Sequence, residues 1–305
     1  MKSKIFLLLS LLWAGTTVAQ DSTATEKPGK DNKPVKDAFE SNWLMNNQSM
    51  IVPFAKTLEF DINHRFGTIE NGFDDMLGMY APSNIRLGVT FTPIKNLQVG
   101  GGITKAAMMN DLNLKWSILQ QTRSGSIPVF VTYYGNMVIE GTKNQINWTI
   151  KDISGKDSIV DRKFNKDASR FSYFNQLIIG RKFNDWLSLQ VGASFSHFNL
   201  INNDTTNGGI QDLKHDNLAV SLAGRVKTTA TMSVLFAYDH PLTPAKDIKP
   251  NLALGVEWST GSHAFQIFLS PYQSIMNQRD VAYNKNDFTK KEVAISFNIT
   301  RLWNF

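Results

Sequence analysis

Hydrolytic chemistry needs a nucleophile or an activated water beside a general base, so histidines and carboxylates are the first residues to place. The chain has five histidines: His64, His197, His215, His240 and His263. None is followed two residues later by serine, the spacing that would set base and nucleophile on one face of a strand. A carboxylate–histidine alternative is Asp74 and Asp75 with Asp239 and His240, which together could activate a water. The histidines lack metal-ligand spacing, and the absence of cysteine excludes a thiolate metal site and a disulfide framework. The glycine run 100–102 lacks the Lys-Ser/Thr and following helix of a phosphate loop, and inside a strand it marks a kink or close packing. No cofactor is expected, and the chain reads as a non-enzyme, with a rim hydrolase as the lesser alternative.

A second set of polar residues recurs at alternate positions, which points to the elements that hold them. Leu58, Phe60, Ile62, His64 and Phe66 alternate with Glu59, Asp61, Asn63 and Arg65. Period two is the signature of a strand, and here it recurs to the end of the chain. The spacing predicts twelve strands, over 57–66, 83–91, 96–104, 111–119, 127–138, 169–182, 186–198, 217–227, 230–239, 251–259, 263–270 and 291–305. Most have the roughly 9–11 residues that cross a bilayer when tilted. Short connections follow the even-numbered strands, at 92–95, 120–126, 183–185, 228–229 and 260–262, and most of the others are longer. Transmembrane barrels show this asymmetry. Lipid offers no water to pair exposed backbone groups, so strands in a membrane must close on themselves. The expectation is an all-β, closed antiparallel transmembrane β-barrel of about twelve strands. A soluble sandwich or lipocalin-like barrel is the competing reading of the same alternation.

Closure divides the side chains between lipid and lumen. The candidate lumen-lining residues are Glu59, Asp61, Arg65, Arg86, Lys115, Gln190, Arg225, Glu257, Gln266 and Glu292. Their mixed signs predict internal ion pairs and hydrogen bonds. A barrel of this strand number is narrow, so the lumen is either a small water-filled pore or filled by side chains and by residues 38–54.

The preceding sequence divides into three parts. Lys2 and Lys4, the apolar stretch Ile5–Trp13 and the small residues at Thr17–Ala19 read as a cleaved signal peptide, residues 1–19. Residues 20–37 are rich in Lys, Asp, Thr and Pro and read as a disordered periplasmic linker. Residues 38–56 carry Phe39, Trp43, Leu44, Met45 and Ile51, an amphipathic segment expected to dock, with the periplasmic mouth of the barrel as one place for it. The barrel then takes residues 57–305. The formal charge is +6, or +4 without Lys2 and Lys4, and the basic residues are interleaved with acidic ones, so no nucleic-acid surface is expected.

In the last strand Val293, Ile295, Phe297, Ile299, Trp303 and Phe305 share one face, interrupted by Arg301. This ending resembles the signal that barrel-insertion machinery reads in outer-membrane proteins, carried here by Phe297, Ile299, Trp303 and Phe305. The stretches AFES (Ala38–Ser41), NNQS (Asn46–Ser49), LEFDINHRFG (Leu58–Gly67), NIRLG (Asn84–Gly88), LQVGGGITK (Leu97–Lys105) and SIPVFVTYYGN (Ser126–Asn136) resemble a Bacteroidota family of outer-membrane barrels of unassigned function. The resemblance implies fold and compartment and carries no catalytic residue. Asp157-Ser158-Ile159 and Asp204-Thr205-Thr206 resemble the O-glycosylation motif of Bacteroidota.

Together these features place the chain in the bacterial outer membrane with both mature termini periplasmic. The expected partners are outer-membrane lipid, the insertion machinery during biogenesis, and either a solute or an envelope protein. The leading expectation is a narrow small-solute channel or ligand-binding barrel. The alternative is a structural anchor or partner of an envelope complex.

Overall fold

The computed structural model describes residues 31–144, 146–151, 157–162, 164, 166–201 and 212–305. The expected signal peptide, most of the 20–37 linker and the Asp204-Thr205-Thr206 motif lie outside the described residues.

Two short strands, β1 (Trp43–Leu44) and β2 (Asn47–Gln48), form a small hairpin ahead of the barrel. The barrel strands follow: β3 (Thr57–Thr68), β4 (Asn84–Ile94), β5 (Leu97–Thr104), β6 (Met109–Leu119) and β7 (Phe130–Glu140). After an outer hairpin of β8 (Ile146–Lys151) and β9 (Asp157–Arg162) come β10 (Phe171–Lys182), β11 (Leu187–Phe198), β12 (Asp216–Lys227) and β13 (Met232–Pro241). The series ends with β14 (Asn251–Thr260), β15 (His263–Ser270) and β16 (Ala294–Asn304). Strands β3–β7 and β10–β16 make one closed twelve-stranded barrel in chain order, antiparallel at every step. Closure pairs β16 with β3 from Asn304–Thr57 to Ala294–Thr68 and leaves no free edge. Among the described residues no helix is long and apolar enough to cross a membrane.

The barrel is inside-out relative to a soluble one. Outward positions carry Leu87, Val89, Leu112, Trp116, Leu254, Val256 and Ile267, all exposed. Inward positions carry charges and amides that are buried, including Glu59, Asp61, Asn63 and Arg65 along β3. This is the division a membrane barrel needs. Arg301 faces outward but sits near the end of β16, where its guanidinium lies 4.7 Å from the centre of the Trp303 ring. There the charge stays near the interface, held over an aromatic face.

The two ends differ. At one end the strands turn tightly at 95–96, 183–186, 228–231 and 261–262, with one ten-residue connection at 120–129. The two-residue turns place Asn96 (φ 69°) and Gly261 (φ 44°) in the left-handed region, which tight hairpins require. The other end carries longer connections, among them 69–83 and 271–293. The latter contains a short helix, α1 (Asn277–Tyr283), whose residues Gln278, Asp280 and Val281 are buried.

Candidate functional site

The lumen is occupied. Residues 38–50 enter it from the short-turn end, reverse at Met45–Asn46 and return to the start of β3. Met45, Ser49 and Met50 are fully buried. Of the two expected places, the mouth and the lumen, the segment takes the second and lies within the barrel as a plug. Ahead of it, Val35 N donates to Gln121 O (2.8 Å) and Arg123 N donates to Lys33 O (3.0 Å), which straps the chain to the β6–β7 turn. Residues 32–36, assigned by composition to the linker, are thus paired.

The wall around the plug has two characters. On β3–β6 it is ionic. The Arg86 guanidinium bridges Asp61 (Nη1–Oδ2, 2.8 Å) and Asp111 (Nε–Oδ1 2.8 Å, Nη2–Oδ2 2.9 Å). A Cβ at Gly102 would lie 2.7 Å from Arg86 Cζ, and one at Gly88 would overlap both Arg86 and Asp61. The glycines on this wall therefore give the guanidinium room to lie flat against the strands, the close packing that the 100–102 run announced. The plug caps this ionic cluster. Trp43 Nε1 donates to Asp61 Oδ1 (2.5 Å) with Arg86 5.5 Å from its ring, Asn42 donates to Glu59, and Lys115 Nζ donates to Asn42 O (3.2 Å).

The other wall is largely apolar. Phe130, Ile178, Ala223, Leu235, Ala237, Ala253 and Phe268 pack with Ala38, Phe39, Leu44, Met45 and Met50. Set into this wall are amides that bond the plug backbone. Met50 N donates to Gln190 Oε1 (2.8 Å) and Gln190 Nε2 donates to Gln48 O (2.7 Å). Met45 N donates to Gln266 Oε1 (3.1 Å) and Gln266 Nε2 donates to Trp43 O (2.7 Å). Asn298 Nδ2 donates to Met45 O (2.8 Å), and Thr132 Oγ1 donates to Met50 O (2.6 Å). Lower down, Arg225 pairs with Glu40 (2.6 Å) and with Glu257 (3.4 Å).

From the opposite end, residues 271–283 reach into the mouth. Asn277 Nδ2 donates to Asn46 O (2.9 Å), and Gln278 Nε2 reaches Asn136 Oδ1 (3.4 Å) and Ser172 Oγ (3.3 Å). Burial pushes the Asp280 carboxyl up to about 7, against the pull of Arg65; its Oδ1 accepts from Ser274 N (2.9 Å). This second stopper was not foreseen. Its only advance sign was an apolar trio, Ile275, Met276 and Val281, in a connection otherwise read as a loop.

The residues picked out by alternation are thus placed as follows. Glu59, Asp61, Arg65, Arg86, Lys115, Gln190, Arg225, Glu257 and Gln266 are buried on the inner wall, and several of them touch the plug directly. Glu292 differs. It precedes β16, is only half-buried, and accepts from Asp287 N (2.7 Å), because β16 begins at Ala294 rather than at 291. Phe297, Ile299 and Trp303 are outside the lumen, and Phe305 is exposed just beyond β16. The acid–base candidates do not converge as a rim pair. Asp239 is buried in the lumen, accepting from Asn251 (2.6 Å) and Asn47 (3.3 Å). His240, the next residue, faces outward, with Tyr238 Oη 3.2 Å from its Nδ1. Successive strand residues point to opposite faces, so these two cannot share a water. Asp75 is held below the usual carboxylate range by Asn71 and the Gly78 N–H. Among the described residues no cluster of three or more His, Cys, Asp or Glu is placed to hold a metal.

Residues 39–303 match the model of a family described as a membrane bound beta barrel domain (DUF5777). No curated protein matches the chain. Among solved structures, the chain is similar to an outer membrane channel from Pseudomonas putida F1, at 11% identity and a TM-score of 0.46 over 83% of this chain and 97% of that one. It is also similar to the NanC porin (9% identity, TM-score 0.46, 81% and 99% coverage). A KdgM porin solved with disordered oligogalacturonate gives 6% identity and a TM-score of 0.44, over 82% and 99%.

Proposed function

The chain belongs to the membrane bound beta barrel domain family (DUF5777), and from that premise we propose that it is an outer-membrane conduit for a small solute, held shut by its own residues 38–51. The observation that supports this reading is the plug itself: a continuous stretch of the chain lies in the lumen, hydrogen-bonded to polar wall residues on one side and packed on an apolar wall on the other. Such bonds contribute only about 0.5–1.5 kcal/mol each, because water replaces them when the partners separate. A withdrawn plug would leave a wall of Glu59, Lys115, Gln190, Gln266 and Asn298 that water solvates readily. The tip is also poorly satisfied: both polar atoms of the Asn46 amide are buried without a partner. In this reading the short-turn end, with the strap at residues 32–36, faces the periplasm, and the long connections face outward.

The test is a planar-bilayer recording of the whole protein and of a variant lacking both residues 38–51 and the inward-reaching residues 274–283. The intact protein is expected to be silent and the deletion to conduct. Steady conductance by the intact protein would refute the plug, and a folded but silent deletion would refute the conduit. The second reading, an envelope anchor, is favoured by the seal at both ends, where α1 meets the plug at Asn46. It predicts silence from both proteins and a periplasmic partner that co-purifies.

A further inference from the structure

Resting on the conduit reading, we propose that the lumen is a binding site for a short peptide folded back as a hairpin with apolar side chains toward one wall, which residues 38–51 occupy as an internal stand-in. Gln190 accepts a hydrogen bond from Met50 N–H and donates one to Gln48 O; Gln266 does the same for Met45 N–H and Trp43 O. Each amide thus spans the carbonyl of one residue and the N–H of the residue two further on. That is the spacing by which a residue of a parallel strand holds its neighbour. Two side chains on different strands, β11 and β15, copy one rung each of a β-ladder. Both are almost wholly buried, at 4% and 1% exposure. Asn298 and Thr132 add further bonds to plug carbonyls.

These contacts touch main chain only and read no sequence. Side-chain preference falls to the apolar wall, where Leu44, Met45 and Met50 pack. Gly180 leaves the space that the Met50 sulfur fills; a Cβ there would overlap it. A polyol has no row of apolar side chains to set against Phe130, Ile178 and Leu235, and would leave that wall dry and unmatched. A highly charged ligand finds Arg86 engaged with Asp61 and Asp111 on the wall itself, and Arg225, whose nearest partner is Glu40 of the plug, still beside Glu257. A peptide satisfies both walls, as the plug does.

The test uses the whole protein with a protease site placed at the exposed residues 54–56, cut after folding. Competitors are a synthetic peptide of residues 38–51, an unrelated apolar peptide of equal length, and a neutral oligosaccharide of similar size. Both peptides are expected to release the cut fragment, the unrelated one at a higher concentration because it lacks the contacts of Glu40, Asn42 and Trp43. The oligosaccharide should release none at hundredfold excess. In Gln190→Leu the concentration of plug peptide giving half-saturation of the emptied lumen should rise about 30-fold, the loss of two hydrogen bonds. Release by the oligosaccharide, or retention against both peptides, overturns the proposal. If the inserted site impairs folding, Ser49→Cys in the uncut chain reports the same displacement as faster thiol labelling when peptide is added. Conductance measured on the exchanged protein separates the two readings. Peptide exchange with silent bilayers would sink the conduit and spare the site; conductance without exchange would do the reverse.

Discussion

Removing the amide of Gln190 should loosen the plug by a predictable amount. Its bonds run to Met50 N and Gln48 O alone, at 2.8 and 2.7 Å, so Gln190→Leu disturbs the plug without breaking a wall network. Two net hydrogen bonds are worth about 2 kcal/mol, and up to about 4 if both backbone groups stay buried and unpaired. The open fraction of the plug should therefore rise between about 30-fold and 10³-fold. The chain has no cysteine, so Ser49→Cys gives a single thiol at a fully buried plug position. The rate of its reaction with a water-soluble maleimide, in detergent or vesicles, reports plug opening. The Gln190→Leu, Ser49→Cys protein should label at least tenfold faster than Ser49→Cys alone. Rates within twofold of each other would show that the apolar wall, and not the amides, holds the plug, and would remove the basis for a reversible seal.

Arg86→Met leaves Asp61 and Asp111 buried without their cation and should lower stability by about 3–5 kcal/mol, read as the urea midpoint of the heat-modifiable band shift. Gly88→Ala places a methyl group against the same ion cluster and should cost about 1–3 kcal/mol in that assay. Asp280, facing Arg65, Asp239 and Tyr272, has a docked carboxyl raised by burial to about 7. Its protonated form is favoured in the docked state, so docking of α1 is firmest below about pH 4, weakens as pH rises toward 7 and is flat above. The loss should not exceed about 4 kcal/mol. Hydrogen exchange over residues 274–283, corrected for intrinsic rate, should quicken from pH 5 to pH 8, and Asp280→Asn should abolish the change.

The barrel was legible because a lipid-facing strand must alternate, and alternation survives in sequence. The twelve segments and their order carried through to the structure, as did the tight turns at 95–96, 183–186, 228–231 and 261–262; the connection read as 120–126 is longer, 120–129, and the one at 105–108 on the other end is short. The plug was less legible. Its mixture of Phe39, Trp43, Leu44 and Met45 with Ser41, Asn42, Asn46 and Asn47 has no strand period, because it meets an apolar wall on one side and an ionic one on the other. One clue was present: Lys115 sits on an inner face and needs a partner, which the plug carbonyl of Asn42 supplies. The pairing of Asp239 with His240 was excluded by the same strand parity that identified β13, since neighbours along a strand cannot face one way. Glu292 was misplaced by extending β16 through a connection that folds back on Asp287.

The seam where β3 meets β16 joins residues more than two hundred positions apart, such as Asn63 and Asn298. Bringing so distant a pair together is entropically the most demanding step of circularising the sheet. The plug touches both banks of that seam. It holds Glu59 and Asp61 on one side, and through Ser41–Thr300 (2.9 Å) and Met45–Asn298 it holds the other. A single loop closure is therefore rewarded twice, once by the ladder and once by the segment lying across it. The segment that fills the lumen thus also bridges the seam, and a chain deprived of it should close its sheet more slowly even where its final fold is unchanged.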